Sequence, residues 1–467
     1  MSNSDPNIKS SKPAFPFEPL APGSSHLLHI EKMVAGGLSL GRLNGQVVLC
    51  AGGIPGETVQ VEILRRRRGV THGKILTVHE SADSRVVPVC PVVGRCGGCQ
   101  LQHMHYKEQL AQKRLILEDT LRRIGKISDV TIAPVIPSPR PLGYRQVLRM
   151  GIGQRRDGMF LGFFESGTQE LLPVDTCFLV DEDLRSVLDG VRAGLRSLDS
   201  EGKVFESVEI RWSQLEKGCL LIFRGQVIAK ELLDRLFHAC SQLSSVKGVI
   251  YEQVDASGHD VRRRVRRTPL VRGADHLWED YGGLRLKTGF QSFMQANWDV
   301  FQILGKMVLT WLGNVKGQRI LELYAGTGPL GLSFAKQGAQ VTCVEGNPFA
   351  IHDARESIRV NKITGCRMRI SSVESYLMTV QPGAYDVILL DPPRVGLNTS
   401  IIEQLGTLHV PKLLYLSCDE PSLARDMKLL REKGYEVQRI QPFDMFPQTA
   451  HLEVLVELVL AQTSKIL

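Results

Sequence analysis

The carboxyl-terminal third of the chain repeats one pattern, a short apolar run that ends in a polar or glycine-containing turn and is followed by a helical stretch. The runs are RILELYAGTG from residue 319, VTCVEGN from 341, YDVILLDPPR from 385 and KLLYLSCDE from 412. Strands that alternate with helices in this way build a parallel sheet with crossover helices. The pattern therefore predicts a Rossmann-like α/β domain over residues 285–467.

Glycine and acidic residues stand at the predicted carboxyl ends of these strands. Gly326 and Gly328 lie in the first turn, where a backbone without side chains allows a ligand to approach closely. Glu345 ends the second strand nineteen residues after Gly326, near the interval at which an acidic side chain reaches ribose hydroxyls. Asp391 and the two prolines after it form a rigid loop at the end of the strand predicted in the run from residue 385. Together they predict a nucleotide-containing cofactor, without distinguishing a dinucleotide from another nucleotide.

Two groups suited to covalent chemistry lie near the same edge. Cys418 follows the last of these runs and precedes a helix predicted to begin near Pro421, a position that exposes the thiol and favours its reactive thiolate. His451 and Glu453 share one face at the start of a final strand, because residues two apart point the same way. An apolar run follows Glu453, so we expect its carboxylate to be desolvated and its pKa to be raised towards useful base strength.

The amino-terminal part of the chain has a different texture. Residues 1–25 are rich in Ser and Pro and predict a disordered leader. Residues 26–83 alternate short β-branched runs with glycines, which predicts a small barrel. The basic run of Arg65, Arg66, Arg67 and Arg68 could lie on a phosphate backbone, and a solvated loop is an equally good interpretation.

Charge and hydropathy limit the classes of protein to consider. Lysine and arginine number 57 against 49 aspartates and glutamates, and this moderate excess suits a polyanionic partner. The sequence contains no apolar run of the length that a membrane helix needs, and the leader lacks the apolar stretch of a secretion signal. We therefore expect a soluble cytoplasmic protein without a membrane partner.

Ten cysteines in a chain of this kind are more consistent with ligands, nucleophiles or core residues than with disulfides. Six of the ten lie in residues 84–284, which we interpret as a mixed α+β domain with a helix near Tyr106–Ile124. The spacing C-x5-C-x2-C in CPVVGRCGGC, with one distant cysteine, could supply four thiolates: Cys90, Cys96, Cys99 and Cys177. On spacing alone, four thiolates suit iron–sulfur or zinc equally. The remaining cysteines outside Cys418 are expected in the core: Cys50, Cys219, Cys240, Cys343 and Cys366.

The motifs together resemble one known family, the RNA uracil-5-methyltransferases, over almost the whole chain after the leader. FMQAN, LELYAGTG, VE, DPPRVGL, LSCDEPSLARD and HLE occur in the family's order. The barrel is similar to a TRAM domain, an OB-like RNA-binding module. The C-x5-C-G-G-C run with a distant fourth cysteine resembles the branch that methylates 23S ribosomal RNA. The resemblance to that branch implies a four-iron four-sulfur cluster with these ligands: Cys90, Cys96, Cys99 and Cys177.

The resemblance also implies a role for each residue of the catalytic motifs. Cys418 would be the nucleophile and Glu453 the base. The implied contacts of S-adenosylmethionine are Gln295, Tyr324, Glu345 and Asp391. Phe293 would stack on a nucleic-acid base. Two positions depart from the family: Pro329 stands where relatives often carry a polar cofactor contact, and Asp419-Glu420-Pro421 replaces the commoner Asn-Pro-Ala.

The implied reaction gives each of these groups a task. Carbon 5 of uracil is too weak a nucleophile to attack a sulfonium methyl group, but addition of a thiolate at carbon 6 converts the ring into an enolate that can. A base then removes the proton from carbon 5, and elimination releases the cysteine. A base inside folded RNA must first leave its stack, at a cost on the order of a few kcal/mol.

Other functions compete with this interpretation. The same reaction on transfer RNA is open, and a noncatalytic RNA-binding or folding factor would also use a barrel and a basic patch, although the presence of both Cys418 and Glu453 favours an enzyme. An amino methyltransferase usually has an aromatic residue after its D-P-P loop, where this chain has Arg394. RNA cytosine-5-methyltransferases use a second cysteine in that loop, which contains none here. We expect a monomer.

Overall fold

The computed structural model describes residues 20–67, 69–156, 158–198, 204–254 and 268–461 of the 467-residue chain. Most of the predicted leader, residues 1–19, and Arg68 of the predicted basic run lie outside the described residues. The chain divides into two compact units, residues 1–86 and 87–467. Within the described ranges, no helix combines the length and apolarity that crossing a membrane requires.

The first unit is a closed β-barrel with the strand order β1-β2-β3-β5-β4. Its strands are β1 (Ser25–Val34), β2 (Leu38–Leu43), β3 (Gln46–Ala51), β4 (Thr58–Arg67) and β5 (Val70–Glu80). Leu28, Ile30, Val59 and Val61 fill the interior, because successive side chains of a strand point to opposite faces. The barrel predicted from short β-branched runs is confirmed.

The barrel is slightly longer at both ends than residues 26–83. Leu20 packs against its core, and the Gly23 N–H donates to Ile63 O at 2.7 Å. At the other end, Arg85 donates to both carboxylate oxygens of the buried Glu57 at 2.6 Å. Residues that precede and follow the predicted boundaries therefore belong to the same module.

The second unit begins with residues 90–99, the cysteine segment, which are followed by a long helix, α1 (Tyr106–Thr120). This helix continues into a π-helical turn, Leu121–Gly125, which confirms the helix expected near Tyr106–Ile124. The buried face of α1 includes the polar side chains of Gln109, Gln112 and Lys113. Burial of such groups requires partners, which include Glu108 of the same helix for Gln112, Gln448 for Gln109 and Asp444 for Lys113.

A mixed sheet with the order β12-β11-β10-β9-β6-β7-β8 forms the central part of this unit. Its elements are β6 (Val147–Arg155), β7 (Gly158–Phe164), β8 (Leu171–Pro173), α2 (Glu182–Arg196), β9 (Phe205–Ser213), β10 (Gly218–Gly225), α3 (Lys230–Ser241), β11 (Val246–Gln253) and β12 (Leu270–Gly273). Apolar residues of the strands share one core with α2 and α3. Elsewhere on the strands, Glu209 forms ion pairs with three arginines, Arg149, Arg211 and Arg224. This is the mixed α+β arrangement expected from the sequence.

A hairpin and a helix connect this sheet to the carboxyl-terminal part. They are β13 (His276–Tyr281), β14 (Leu284–Gly289) and α4 (Trp298–Leu312). Tyr281, Leu286 and Phe301 belong to the carboxyl-terminal core. The boundary placed between residues 284 and 285 thus falls within a hairpin whose two strands pack with the later residues.

The carboxyl-terminal sheet has the order β17-β16-β15-β18-β19-β21-β20, parallel from β17 to β19 and antiparallel at the last two strands. Its elements are β15 (Arg319–Leu323), α5 (Pro329–Lys336), β16 (Gln340–Glu345), α6 (Pro348–Val360), β17 (Cys366–Ile370), α7 (Val373–Leu377), β18 (Val387–Leu390), α8 (Thr399–Leu408), β19 (Lys412–Ser417), α9 (Glu420–Glu432), β20 (Tyr435–Phe443) and β21 (Glu453–Leu460). The predicted α/β sheet is confirmed.

Apolar layers cover both faces of this sheet, which explains why its strands appear as continuous apolar runs. Leu321 and Leu323 of β15 belong to one layer, and Ile320 of the same strand belongs to the other. From β15 the chain moves to β16 on one side, and β18 pairs with its other side. Open α/β sheets bind ligands beyond the carboxyl ends of strands at such a switch point.

Candidate active site

The turn after β15 and the acid at the end of β16 are joined directly. Gly326 and Gly328 have φ angles of 57° and 74°, in the left-handed region that glycine adopts without strain. Glu345 accepts the Gly326 N–H through Oε2 at 2.9 Å and the Asn347 N–H through Oε1 at 2.7 Å. The two features from which the sequence predicts a cofactor site therefore lie together.

Tyr324 and Pro329 flank this turn. Tyr324 has a φ of 61°, a conformation that costs a non-glycine residue about 1–3 kcal/mol and is concentrated at functional sites. Its ring is half-buried, and burial raises the pKa of its hydroxyl well above the usual range. Pro329 is the first residue of α5, where its missing N–H is not needed. The departure from the family at this position is therefore compatible with the start of the helix.

Glu322 lies inside the apolar run of β15, just before the turn, and is a residue to which the sequence motifs assign no role. Its Oε2 accepts the Gly331 N–H at 2.9 Å and the Cys343 thiol at 3.2 Å. A Cβ atom on Gly331 would lie 2.3 Å from the same oxygen, so only glycine fits there. Burial raises the pKa of Glu322 to about 8. A carboxylate between two leucines inside an apolar strand was the available sequence signal.

The FMQAN segment between β14 and α4 is anchored by its last residue. Asn297 accepts the Val300 N–H at 3.3 Å and so caps α4. Its side-chain Nδ2 donates to Ser138 Oγ at 3.1 Å and to Met445 O at 3.2 Å. The segment is thereby held between the central part of the unit and the loop before β21.

The residues just before FMQAN contact the region of the cofactor turn. Asn347, two residues after Glu345, donates to Gln291 O at 2.9 Å. Gln295 is half-buried, and the Phe293 side chain is 69% exposed. An exposed aromatic ring beside a predicted cofactor site is available to stack on a planar ligand.

Cys418 lies in the short turn between β19 and α9 and is half-buried. The pKa of its thiol is raised to about 12, chiefly by burial and then by the carboxylates of Glu453 and Asp391, against the lowering effect of Arg394. The expectation that this position favours a thiolate is therefore wrong for the free protein. Desolvation and neighbouring negative charges outweigh Arg394 and the nearby helix N-terminus.

Three carboxyl groups from different strand ends share this environment. Burial raises the pKa of Asp391, after β18, and of Glu420, the first residue of α9, to about 7 each. Burial, followed by the charges of Asp391 and Glu420, raises the pKa of Glu453 well above its usual value, while Arg394 lowers it. The direction expected for Glu453 agrees with this finding. A carboxylate whose pKa is raised is a stronger base than an ordinary one, as removal of a proton from carbon requires.

His451, the other residue singled out beside Glu453, precedes β21. Burial, followed by the positive charges of Arg394 and Lys113, lowers the pKa of His451 to about 4. Its ring meets Phe446 edge-on, with the centroids 6.1 Å apart. The imidazole is therefore neutral at physiological pH, so it adds no positive charge that would favour a thiolate.

The hydrogen bonds of Asp419 show how this chain accommodates Asp-Glu-Pro, instead of the commoner Asn-Pro-Ala, after Cys418. Its carboxylate accepts the Ser422 N–H at 3.0 Å and the Ser422 hydroxyl at 2.6 Å, which caps α9. Ser422 Oγ also lies 2.8 Å from Arg394 O. Asp419 therefore fixes the start of α9 next to the D-P-P loop, a structural task at this position.

The four cysteines expected to bind a cluster lie near one another. The pKa of the Cys99 thiol is raised to about 12, chiefly by burial, and Cys177, Cys96 and Cys90 are close enough to contribute to this rise. The Gly98 N–H donates to Cys96 Sγ at 3.4 Å. In the described part of the chain, no group of three or more His, Cys, Asp or Glu is arranged to hold a metal ion. The ligand assignment remains a prediction.

The cysteines expected in the core follow that expectation with one exception. Four of them are buried: Cys50, Cys219, Cys240 and Cys343. Cys366 is only half-buried, because it starts the edge strand β17, and its Sγ lies 3.9 Å from that of Cys343.

Comparisons with known proteins agree with this architecture. Residues 283–461 match the family described as tRNA (uracil-5-)-methyltransferase. An uncharacterized RNA methyltransferase of Thermosynechococcus vestitus is 30% identical over 443 residues, covering 93% of this chain and 97% of the relative. A second one, from Halalkalibacterium halodurans, is 29% identical over 445 residues, covering 92% of this chain and 96% of the relative.

One solved structure shares the fold over most of the chain. It is the Pyrococcus abyssi tRNA (uracil-54, C5)-methyltransferase in complex with S-adenosyl-L-homocysteine. Its TM-score is 0.72 at 22% identity, and the match covers 92% of this chain and all of that one. Fold and sequence together define a methyltransferase that acts on RNA. The chain belongs to the RNA uracil-5-methyltransferase family.

Proposed function

We propose that this protein methylates carbon 5 of a uridine in ribosomal RNA, with S-adenosylmethionine as the donor, Cys418 as the covalent nucleophile and Glu453 as the base. The observation that carries the proposal is the shared environment of Cys418, Glu453 and Asp391: Glu453 and Asp391 raise the pKa of Cys418, and Asp391 raises that of Glu453. These three residues come from three different strand ends of the sheet. A thiol and a base so close to one another suit addition followed by elimination.

The residues present fit the proposed donor. Gly326 and Gly328 allow its nucleotide to approach the backbone, and Glu345 offers carboxylate oxygens to ribose hydroxyls. Gln295 and Asp391 would hold the amino-acid end of the donor, with Tyr324 against its apolar part. When bound, S-adenosylmethionine supplies a methyl group on a positively charged sulfur. Asp391 and Glu453, once ionised, would attract that charge.

The chemistry of Cys418 begins with loss of its thiol proton to a group other than Glu453, for which the neighbouring Asp391 carboxylate is available, so that Glu453 remains ionised for the later step. Its Sγ then forms a bond to carbon 6 of uracil, and the electrons of the C5–C6 double bond move towards the carbonyl oxygen at carbon 4. Carbon 5 gains the methyl group as the methyl–sulfonium bond breaks, which leaves a neutral thioether. Glu453 then takes the proton from carbon 5, the double bond re-forms, and the C6–S bond breaks with its electron pair on Cys418.

Two exposed features support RNA as the substrate. Arg65 and Arg67 are exposed at the end of β4 in the barrel, and basic side chains of this kind pair with phosphates. Phe293 lies exposed in the FMQAN segment and can stack on a base that has left its helix.

Ribosomal RNA is proposed because of the C-x5-C-G-G-C run, which resembles the branch with that substrate. Transfer RNA is the second candidate, since the Pyrococcus abyssi enzyme of the same fold acts on transfer RNA. Mapping 5-methyluridine in ribosomal and transfer RNA from cells with and without this protein separates the two. Loss of the modification from transfer RNA alone would reject the ribosomal substrate.

The four-cysteine segment also fits a four-iron four-sulfur cluster. Cys90, Cys96 and Cys177 lie close enough to raise the pKa of the Cys99 thiol, Cys90 and Cys96 raise that of Cys177, and Gly98 donates an N–H to Cys96 Sγ. Backbone N–H groups that donate to sulfur tune such clusters. Anaerobic purification should yield a brown protein with about four irons per chain, and the Cys177→Ser variant should contain less iron. A colourless protein that binds one zinc ion would reject the cluster.

The covalent step has a direct test. RNA that carries 5-fluorouridine at the target cannot lose a proton from carbon 5, so wild-type protein with S-adenosylmethionine should remain attached to it on a denaturing gel. Cys418→Ala should form no adduct and no 5-methyluridine while it still binds RNA. Cys366→Ala, another half-buried cysteine in the same domain, is the matched control and should behave as wild type. Full methylation by Cys418→Ala would reject the mechanism.

A further inference from the structure

Gln448 occupies an unusual place in the loop that leads to the proposed base. It lies five residues before Glu453 in the chain, is buried, and has a φ of 69°. A non-glycine residue adopts this left-handed conformation only where its surroundings hold it. The contacts of Gln448 therefore decide how the loop enters β21.

The backbone of Gln448 is held by the residues that follow Cys99. Its carbonyl oxygen accepts the N–H groups of Gln100 at 3.1 Å and of Leu101 at 3.0 Å. The side-chain Oε1 of Gln100 accepts the Ala450 N–H at 3.2 Å, two residues further towards Glu453. The cysteine segment and the loop before the base are thus joined by three hydrogen bonds.

The rest of Gln448 is held by α1 and by Pro141. Gln109 Nε2 donates to Gln448 Oε1 at 2.9 Å, and the Gln448 N–H donates to Gln109 Oε1 at 3.1 Å. Gln448 Nε2 donates to Pro141 O at 3.3 Å. Both amide groups of this buried residue are therefore hydrogen-bonded, an arrangement that fixes both the backbone and the side chain.

We propose that Gln448, held by Gln109 and by the segment after Cys99, is a positioning residue that sets where the Glu453 carboxylate stands relative to carbon 5 of the substrate. This inference rests on the proposed function of Glu453. The distance over which a base takes a proton is short, and a displacement of about 1 Å can reduce a rate by about a hundredfold. Loosening the loop should therefore slow proton removal more than it slows the earlier addition and methyl transfer.

Gln109 offers the cleanest way to loosen the loop, because it lies on α1 and belongs to none of the groups proposed to touch substrate or donor. In Gln109→Ala both hydrogen bonds to Gln448 are lost, and Gln109→Met keeps the volume of the side chain. Gln112→Ala is the matched control: Gln112 is a buried glutamine on the same helix whose side chain bonds Glu108 instead. All measurements are made at temperatures at which circular dichroism shows each variant folded.

The test follows single turnovers on uridine-containing RNA and separates the methylated covalent adduct from released product. We expect both Gln109 variants to accumulate the adduct and to release product about tenfold or more slowly, with RNA affinity within about twofold of wild type. Gln112→Ala should show no accumulation. Rescue of release by Gln109→Met alone would indicate a packing role and would overturn the inference.

Two results separate this inference from the proposed function. If wild-type protein forms no adduct with 5-fluorouridine RNA, the covalent mechanism fails and the role of Gln448 fails with it. If wild type forms the adduct but the Gln109 variants release product at the wild-type rate per folded molecule, only the positioning role is rejected.

Discussion

Lys113 Nζ lies 2.5 Å from Asp444 Oδ1, and both side chains are fully buried although 331 residues separate them in the chain. Lys113 also donates to Phe446 O at 3.1 Å, and the Tyr106 hydroxyl donates to Asp444 Oδ2 at 2.8 Å. The ion pair therefore ties α1 to the loop that precedes Glu453. A buried charge without its partner is far more costly than the intact pair is favourable.

Replacing Lys113 by methionine should consequently destabilise the fold. The Asp444 carboxylate would remain buried without its cation, and we expect Lys113→Met to lower the free energy of unfolding by about 3–5 kcal/mol. Urea denaturation followed by circular dichroism measures this change.

Two comparisons make the measurement decisive. Lys433 pairs with Glu403 at 2.5 Å, but these side chains are 31% and 57% exposed, so Lys433→Met should change the free energy of unfolding by at most about 1 kcal/mol. The double variant Lys113→Met/Asp444→Leu should recover much of the lost stability, because it removes both charges. Equal effects of the two lysine variants would contradict the assignment of Lys113 as a buried partner.

Glu453→Gln should stop the reaction at a late stage. Cys418 can still add to uracil and the methyl group can still be transferred, but an amide cannot take the proton from carbon 5. We expect a protein–RNA adduct to accumulate on uridine-containing RNA, detected as a slower band on a denaturing gel, with little released 5-methyluridine.

Glu457→Gln on the same strand is the control for that experiment. Glu457 forms ion pairs with Lys412 and Arg439 and lies outside the proposed chemistry, so its loss should reduce stability without trapping an adduct. Free turnover by Glu453→Gln at the wild-type rate would exclude Glu453 as the base.

The sequence was sufficient to predict the parts of the fold that depend on local pattern. Continuous apolar runs predicted β15, β16, β18 and β19, and two glycines predicted the cofactor turn. In the structure those glycines do adopt a left-handed backbone. Short alternating runs likewise predicted the barrel. Each of these signals arises from residues that are close together in the chain.

The parts that could not be predicted depend on residues that are distant in the chain. The pKa of Cys418 reflects Glu453 and Asp391, whose negative charges reverse the effect expected from its position before a helix. The partners of Lys113 and Gln109 lie more than 300 residues away. A polar residue on a helix gives no indication of which partner will satisfy it once buried.

The raised pKa of Cys418 predicts an unusual pH profile for its alkylation. Because burial and the nearby carboxylates raise that pKa to about 12, the thiolate fraction of the free protein should keep rising through pH 10. The rate of iodoacetamide labelling, followed by mass spectrometry of the peptide containing Cys418, should increase by about tenfold per pH unit between pH 7 and pH 10.

Variants that remove a charge next to Cys418 should change its labelling rate in a direction that can be checked. Glu453→Gln removes a negative neighbour and should speed labelling at pH 8, whereas Arg394→Met removes a positive one and should slow it. A labelling rate in the wild type that levels off between pH 9 and pH 10 would indicate an ordinary thiol and would contradict the buried environment.

Glu322 connects the cofactor turn to the pH dependence of stability. Its pKa of about 8 in the folded protein lies above the ordinary value of 4.5, so folding favours the protonated carboxyl group. The resulting stabilisation is fully present below about pH 4.5 and is lost as the pH rises through about 8.

Glu322→Gln cannot ionise and should remove this contribution while the side-chain oxygen still accepts the Gly331 N–H. Between pH 5 and pH 8 the wild type should lose on the order of 3 kcal/mol more stability than the variant, since each pKa unit corresponds to about 1.4 kcal/mol. Urea midpoints at the two pH values measure the difference, with the exposed Glu436→Gln on β20 as the control. The other buried carboxyl groups are the same in both proteins, so their contributions cancel when the change in unfolding free energy between the two pH values is compared. Parallel losses in wild type and Glu322→Gln would mean that the carboxyl group beneath the turn is solvated and ionised at neutral pH.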